Sequence, residues 1–532
     1  MTYQEKEEMA IMQHETNKSS ADLRESYIMR KESTAQTIFD EDGTGALEQT
    51  PLLTKEHNRT ESSWGDTISN EVKAMIELAL PVTGTYILEM LPGIVSIVLV
   101  GHLGHEKRQI FMDATSMSTV LMNLTGMATG IGMTTAMDTL CSQAYGAQET
   151  QRIGIYLQTG IIILSVAYLG VFLVNFYSGE ILIMLGQPHE VSEMAGLFSR
   201  FLLPGIPFIY LYELLRKILQ ANNIVIPMLQ IALVANVINV VLGYYLVYYT
   251  SWGFLGAAIA RTVCNVACPV LLLPYMYWIG VLDEVWTGVQ LREALAGLNE
   301  FLILGTAGMM QVCFEWWAFE IIYIFCGWMP NAEVSIGTNS IVMNITSMCY
   351  MIYLGISVSA SIRIGNALGA GLPHQASLTS RVALAISFSL SLFVATNLVT
   401  FRHYIPQLFT TDPAIDSLAE SLGFVTASLQ IPDSMNVVVQ GALRGSGRQS
   451  LGAKLNFSAY YLLGIPFGSV LAFSFHKGLE GMWIGLSAAL STIAIVGVFI
   501  IQTSDWNLLA EQAKQRIHGN DNIIDVCISI NV

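Results

Sequence analysis

From about residue 74 onward the chain alternates between long apolar runs and short polar breaks. A helix needs about 20 apolar residues to cross a bilayer. Runs of that length or more fall at approximately 74–99, 114–137, 153–176, 194–215, 228–249, 254–278, 300–328, 335–361, 377–400, 419–441, 452–475 and 481–502. The pattern predicts an all-α integral membrane protein of twelve transmembrane helices. Residues 1–68 read the opposite way, being polar, acidic and poor in aromatics. Such a segment buries too little apolar surface to offset the entropy of ordering, so a disordered tail is expected. No apolar core follows the first residues, and no signal peptide is expected.

The pattern also repeats. Gly132–Ala147 (GMTTAMDTLCSQAYGA) aligns with Gly355–Ala370 (GISVSASIRIGNALGA) at an offset of 223, Gly253–Gly256 with Gly478–Gly481 at 225, and Glu89 with Glu315 at 226. A near-constant offset in three places marks an internal duplication. Six helices per repeat is an even number, so the halves share one orientation, related by an axis along the membrane normal with a cavity between them. The expected organisation is an N-lobe over 69–285, a C-lobe over 286–506, and tails at 1–68 and 507–532. One set of loops carries Arg152, Arg216, Lys217, Arg292, Arg363, Arg444, Arg448 and Lys454, against Lys107, Arg108, Arg402 and Lys477 on the other. The positive-inside rule then puts both termini in the cytosol.

Composition fits this picture: 53% of the 532 residues are hydrophobic and 12% charged, about half the charge of a globular protein. The seven cysteines show neither zinc spacing nor a disulfide framework, and Cys264 and Cys268, one turn apart, read as packing residues. The net charge of −16 draws on tails and loops and points to no nucleic-acid partner. An integral membrane enzyme would need a His/Asp or metal constellation; the nine histidines are scattered, and His102 and His105 read as loop residues. In the N-terminal tail, Glu48-Gln-Thr-Pro51-Leu52-Leu53 matches an acidic dileucine that sorting adaptors read as an endosomal or vacuolar address.

The chemistry lies in the buried acids. Glu315 and Glu320 sit in an apolar run, within Cys313-Phe314-Glu315-Trp316-Trp317-Ala318-Phe319-Glu320. A carboxylate at membrane depth costs about 2.5–3.5 kcal/mol even on the lenient insertion scale, and marks a proton, ion or substrate pathway. Five residues turn a helix by about 140° from a common face, so one carboxylate can line a central cavity while the other points into the lobe. Asp433 follows Pro432 directly in the tenth run. A proline removes an N–H and frees carbonyls where a proton or ion is handled, making Pro432 a candidate hinge. Trp316, Trp317, Phe319, Tyr353, Phe314, Tyr323 and Tyr350 near these acids could form an aromatic box for organic cations; for any single one, helix packing is the competing role. Glu89 mirrors Glu315 and is a candidate for lining the first lobe. Glu213 lies near Arg216 and Lys217, suggesting a structural ion pair, and Asn236 and Asn239 suggest interhelical hydrogen bonds, with substrate contact the equal alternative.

Several motifs coincide with one family. Leu80-Pro81, Val100-Gly-His-Leu-Gly104, Thr139-Leu-Cys-Ser-Gln-Ala-Tyr-Gly-Ala147, Glu315-Trp-Trp-Ala-Phe-Glu320, Gly365-Asn-Ala-Leu-Gly-Ala-Gly371 and Gly441-Ala-Leu-Arg-Gly-Ser-Gly447, continuing to Ala459-Tyr-Tyr461, fall in order on the twelve spans. From Trp64 to about Trp506 the chain resembles the eukaryotic multidrug and toxic compound extrusion (MATE) family. Asp138, Ser142, Ala367 and the loop His105–Arg108 depart from its usual pattern. The resemblance implies a V-shaped bundle of two six-helix lobes and proton-coupled export of organic compounds. It implies proton-coupling roles for Glu315 and Glu320, and for Asp433 acting with the seventh-helix Glu.

The expected function is secondary active export of organic cations or secondary metabolites from the cytosol in exchange for protons, by alternating access, at a vacuolar, lysosomal or plasma membrane. No cofactor is expected beyond the proton gradient, with sodium the alternative ion, and the protein is expected to work as a monomer. A flippase for lipids or lipid-linked glycans is the sibling alternative; it predicts a basic cavity, whereas the mid-membrane charges here are acidic.

Overall fold

A computed structural model describes residues 64–529, with side-chain surroundings for residues 67–517; the dileucine at Glu48–Leu53 and Cys527 lie outside the regions so described. Twelve long helical rods run through the described residues. They are α1 (Trp64–Gly101), α2 (residues 108–146), α3 (Thr150–Phe176), α4 (His189–Ala221), α5 (Ile226–Tyr248), α6 (Leu255–Trp278), α7 (Leu298–Cys326), α8 (Ala332–Gly369), α9 (Pro373–Thr400), α10 (Pro413–Gly445), α11 (Gln449–Ser474) and α12 (Gly478–Thr503). A further helix, α13 (Trp506–Ser529), occupies the segment read from sequence as the C-terminal tail.

Ten rods are long and apolar enough to cross a membrane alone; α2 and α10 are not among them. The physical reason is their position. Their C-terminal halves are buried on nearly every side and carry Asp138, Gln143, Gln430, Asp433 and Gln440 inward, so they need no lipid-facing apolar surface.

Local chemistry sets the ends. Asp412 caps α10, accepting from the Ala414 N–H at 2.8 Å, with Pro413 in the first turn. Four rods close with the chain turning through a left-handed residue, and the N–H groups of Glu149, Ile224, Leu372 and Arg448 reach back five residues to helical carbonyls. The left-handed positions are themselves duplicated. Gln148 (φ 65°) matches Gly371 (71°), Asn223 (59°) matches Gly447 (74°), and Gly253 (51°) matches Gly478 (54°). Their offsets are 223, 224 and 225, the same register found in the sequence.

The halves pack on each other through a pseudo-symmetric set of crossings, α1 on α8, α7 on α2, and α2 on α8. At one end of the bundle α2 and α8 cross at Gly146 and Gly369. A methyl on Gly146 would lie 2.1 Å from the Asn366 carbonyl oxygen, and one on Gly369 would lie 2.0 Å from that of Gln143. Only glycine permits this approach. Toward the other end the N-terminal part of α2 turns away to pack on α4, and the lobes part into the V that the resemblance implies. Each lobe has its own apolar core, the larger one in the N-lobe around Phe198, Tyr212 and Ile218, another in the C-lobe around Trp483 and Tyr460.

Candidate functional site

Three polar assemblies lie inside the bundle. The first is in the N-lobe. Arg216, 1% exposed, donates to both carboxylate oxygens of Glu89 at 2.8 and 2.9 Å and also to Glu213. Its guanidinium lies 4.7 Å from the ring centre of Tyr86 and 5.7 Å from that of Tyr212. Arginine suits this position because its planar fork can serve two acids and stack on aromatics at once. The ion pair expected between Glu213 and Arg216 is present. The grouping of Lys217 with Glu213 is corrected: one residue further round the helix, its ammonium binds Asp138 at 2.6 Å. Asn236 donates to the Leu88 carbonyl at 2.9 Å, tying α5 to α1.

The second assembly closes the narrow end. Arg444 of α10 approaches Asp138 at 3.6 Å and donates to Ser357 at 3.0 Å. Thr139 donates to the Arg444 carbonyl, Gln143 to that of Gly445, and Gln449 to Thr139, at 2.5, 3.1 and 2.8 Å. Arg363 of α8 pairs with Glu71 of α1, which also accepts from Thr379 of α9 at 2.6 Å. Outside the spans, Arg516 of α13 donates to Gln143 at 2.7 Å and pairs with Glu300 of α7 at 3.8 Å. Burial pushes its guanidinium down from the ordinary value, and Glu300 pulls it partly back.

The third assembly is in the C-lobe and holds the acids singled out from sequence. Glu315 of α7 and Asp433 of α10 are 7% and 1% exposed. They lie within electrostatic reach of each other, with Tyr350 and Tyr460 beside them and Arg444 the cation felt by Glu315. Oε1 of Glu315, Oδ2 of Asp433 and the Tyr460 hydroxyl have no hydrogen-bond partner among the described residues. Next to them Gln440 donates to Asn436 at 3.1 Å and to Asn456 at 2.6 Å and pairs with Gln311, while Asn456 returns to the Gln311 carbonyl at 3.0 Å. Tyr460 belongs to a π-helical turn, Ser458–Gly464, in α11; such turns are frequent at functional sites.

Counting back from the matched left-handed residues Asn223 and Gly447, Arg216 in the N-lobe corresponds to Gln440 in the C-lobe. Glu89 is ion-paired with a buried arginine of its own lobe; its mirror image Glu315 has no ion pair among the described residues, with Gln311 one turn before it on α7. The sequence reading missed Gln311, Gln440 and Asn436. The available signal was polar residues spaced one turn apart around Glu315 and Asp433, at 311 and at 436 and 440.

The other candidates scatter. Glu320 is half-buried on another side of α7 near Tyr323, with neither Glu315 nor Asp433 among its charged neighbours. The aromatic box does not assemble as one wall, because successive helical positions point in different directions. Phe319 packs in the C-lobe core, 6.3 Å from Trp483, and Tyr353 is wholly buried with its hydroxyl on Gln430 at 3.2 Å. Phe314 turns outward onto Phe457 and Tyr461. Trp316 is half-buried. Trp317, 45% exposed, reaches across to the Leu124 carbonyl in the other lobe at 3.4 Å, where the π-helical turn Asn123–Met127 interrupts α2. Pro432 stands inside α10, one residue before Asp433.

A duplicated, two-lobed helical bundle with acids buried at mid-membrane in each lobe defines a secondary transporter. Comparison with known proteins agrees. The MatE family model matches residues 81–245 and 308–470, one segment in each lobe. Protein DETOXIFICATION 16 of Arabidopsis thaliana is 31% identical over 87% of this chain and 94% of its own length. Multidrug and toxin extrusion protein 2 of Mus musculus is 32% identical over 84% of this chain and 77% of its own. The crystal structure of the eukaryotic MATE transporter AtDTX14 superposes with a TM-score of 0.80 at 29% identity, covering 85% of this chain and 99% of that one. The chain belongs to the eukaryotic MATE family.

Proposed function

We propose that this protein exports organic cations from the cytosol by exchanging them for protons at Glu315 and Asp433. The observation that carries the reading is the contrast between the lobes. Glu89 and Glu213 share one buried cation, Arg216, and Asp138 pairs with Lys217; Glu315 and Asp433 make no ion pair among the described residues and are buried with carboxylate oxygens left over. A buried carboxylate without a partner is strongly unfavourable unless a proton or a cation neutralises it. The same pair of acids can therefore be neutralised by a proton or by a positively charged compound, and occupancy by one disfavours the other. Multidrug and toxin extrusion by the matched relatives supports an organic substrate. Alternating access follows from prying apart the Gly146–Gly369 crossing while the other end closes. The closed end and both termini are taken as cytosolic, in a plasma, vacuolar or lysosomal membrane, because export starts there. The basic-residue bias lends no weight, since Arg216, Lys217, Arg363 and Arg444 lie within helices and pair with acids, leaving Arg152, Arg292, Arg448 and Lys454 against Lys107, Arg108, Arg402 and Lys477.

The test is flux of a fluorescent organic cation into proteoliposomes under an imposed pH gradient, comparing wild type with Glu315→Gln and Asp433→Asn. Gradient-driven flux that collapses in both variants is expected. Flux driven by sodium and indifferent to pH would refute proton coupling; transport restricted to anions would refute the substrate charge.

A further inference from the structure

On the membrane-facing side of the C-lobe, α7 and α11 leave a groove of about 660 Å³. Its walls include Ile303, Ala307, Met310 and Phe314 from α7, with Ala453 and Lys454 from α11. This surface faces lipid: Ile303 is 60% exposed, Met310 38% and Phe457 42%. From Leu302 to Phe314 it follows α7 for about 18 Å at 1.5 Å per residue, close to the roughly 15 Å of hydrocarbon in one leaflet. Phe314, Phe457 and Tyr461 cluster across its inner end with ring centres 5.2–5.6 Å apart.

Lys454 sits between one and two turns into α11 at the closed end of the bundle. It is exposed and forms no ion pair among the described residues. An ammonium near the headgroup level beside an acyl-sized apolar groove calls for a molecule with a negative head and a hydrocarbon tail. The hydroxyls of Thr306 and Ser450 line the same groove, within the region where ester oxygens of such a molecule would lie. We infer that this groove binds an anionic glycerophospholipid from the leaflet at the closed end, one acyl chain between α7 and α11 and the phosphate at Lys454. The lipid would then lie against the π-helical turn of α11 that carries Tyr460 and Tyr461, so membrane composition would bear on the helix that borders the acidic site. The inference is independent of the transported substrate and of the coupling ion.

The full-length protein in nanodiscs is exposed to phosphatidylserine or phosphatidylcholine carrying a photoreactive acyl chain, at equal mole fraction, and adducts on α7 and α11 are counted by peptide mass spectrometry. Phosphatidylserine is expected to label the groove roughly fivefold more, the ratio matching about 1 kcal/mol for one Lys near an anionic surface. Lys454→Arg should keep that preference and Lys454→Ala should abolish it. Ala307→Trp, which fills the groove from a lipid-facing position, should remove groove adducts of both lipids and leave labelling of α9 unchanged. Equal labelling by the two lipids in wild type, or groove adducts that survive Ala307→Trp, would overturn the site. Displacement of both lipids alike by an amphiphilic organic cation would overturn it in favour of a lateral substrate entrance.

Discussion

Adding one methyl group at Gly146 tests whether the α2–α8 crossing is the inner closure of the transporter. The Cβ of Gly146→Ala would lie 2.1 Å from the Asn366 carbonyl oxygen, where real contacts stay above 3.0 Å. The obstacle is backbone, so the helices must separate by roughly 1 Å rather than rotate a side chain away. Overpacking of this kind costs about 1–3 kcal/mol. The same displacement stretches the hydrogen bonds from Thr139 to the Arg444 carbonyl and from Gln143 to the Gly445 carbonyl, each worth about 1 kcal/mol. A penalty of about 3–4 kcal/mol applied only to the state closed at this end shifts the conformational equilibrium by roughly 10²–10³. Electron–electron distance measurement between spin labels on Glu106→Cys, in the α1–α2 loop, and Glu333→Cys, in the first turn of α8, both at the end opposite the crossing, reads that shift. The label distances should shorten in Gly146→Ala as the opposite end closes. Gly369→Ala should act in the same direction and less than additively with Gly146→Ala, because each glycine meets the chain flanking the other. Gly170→Ala, which meets no atom within 4 Å, is the silent control. A folded Gly146→Ala protein with the wild-type distance distribution would refute the closure.

Removing the N-lobe cation by Arg216→Gln leaves Glu89 and Glu213 without their partner; a loss of about 3–5 kcal/mol is expected as a lower thermal unfolding midpoint, with Arg216→Lys retaining part of it. An unchanged midpoint for Arg216→Gln would contradict a structural role for that cluster. Arg516→Ala severs the links from α13 to Gln143 and Glu300; faster amide exchange in α13 is expected, with a shift in label distances in the same direction as Gly146→Ala but smaller, and unaltered exchange would show that α13 is held by its apolar face alone. Gln440→Arg gives the C-lobe the cation that Arg216 supplies in the N-lobe. It should cut gradient-driven flux at least tenfold in a folded protein, and flux at the wild-type level would refute the argument from lobe asymmetry.

The architecture was legible because its signals are long. Apolar runs that must fill a bilayer, and a duplication that recurs at the same offset in motif, acid and left-handed turn, survive without any knowledge of packing. The buried acids were legible for the related reason that a carboxylate in hydrocarbon is rare. Partnership was not legible. Lys217 and Glu213 are four apart on one helix, and only the packing of α2 against α4 shows that Asp138 takes the lysine. The aromatic box failed for the same reason: Phe319 stands one turn from Glu315 on α7 and Tyr353 on the next helix, yet helix rotation sends the first into the C-lobe core and the second onto Gln430. In the sequence Gln440 shows only as a polar residue one turn after Asn436. Its meaning appears only when the left-handed turns at Asn223 and Gly447 align it with Arg216.

That alignment bears on why a duplicated protein would use its halves differently. Coupling requires a group whose protonation differs between two states of the protein, because a ligand shifts an equilibrium only through differential affinity. Glu89 cannot readily be such a group: Arg216 lies within 2.8–2.9 Å of both its oxygens, and both belong to the same lobe, so a rigid-body motion of the lobes leaves the pair intact. Glu315 is placed otherwise. The cation it feels is Arg444, and Arg444 is also drawn to Asp138 across the lobe interface. Opening that interface releases Arg444 from Asp138 and changes the field at Glu315, and through Glu315 at Asp433, without touching the N-lobe cluster. By reciprocity, neutralising those acids with a proton or an organic cation must change the hold of Arg444 on Asp138. Under the proposed exchange the C-lobe acids and the inner closure are two ends of one linkage, with Arg444 the residue common to both.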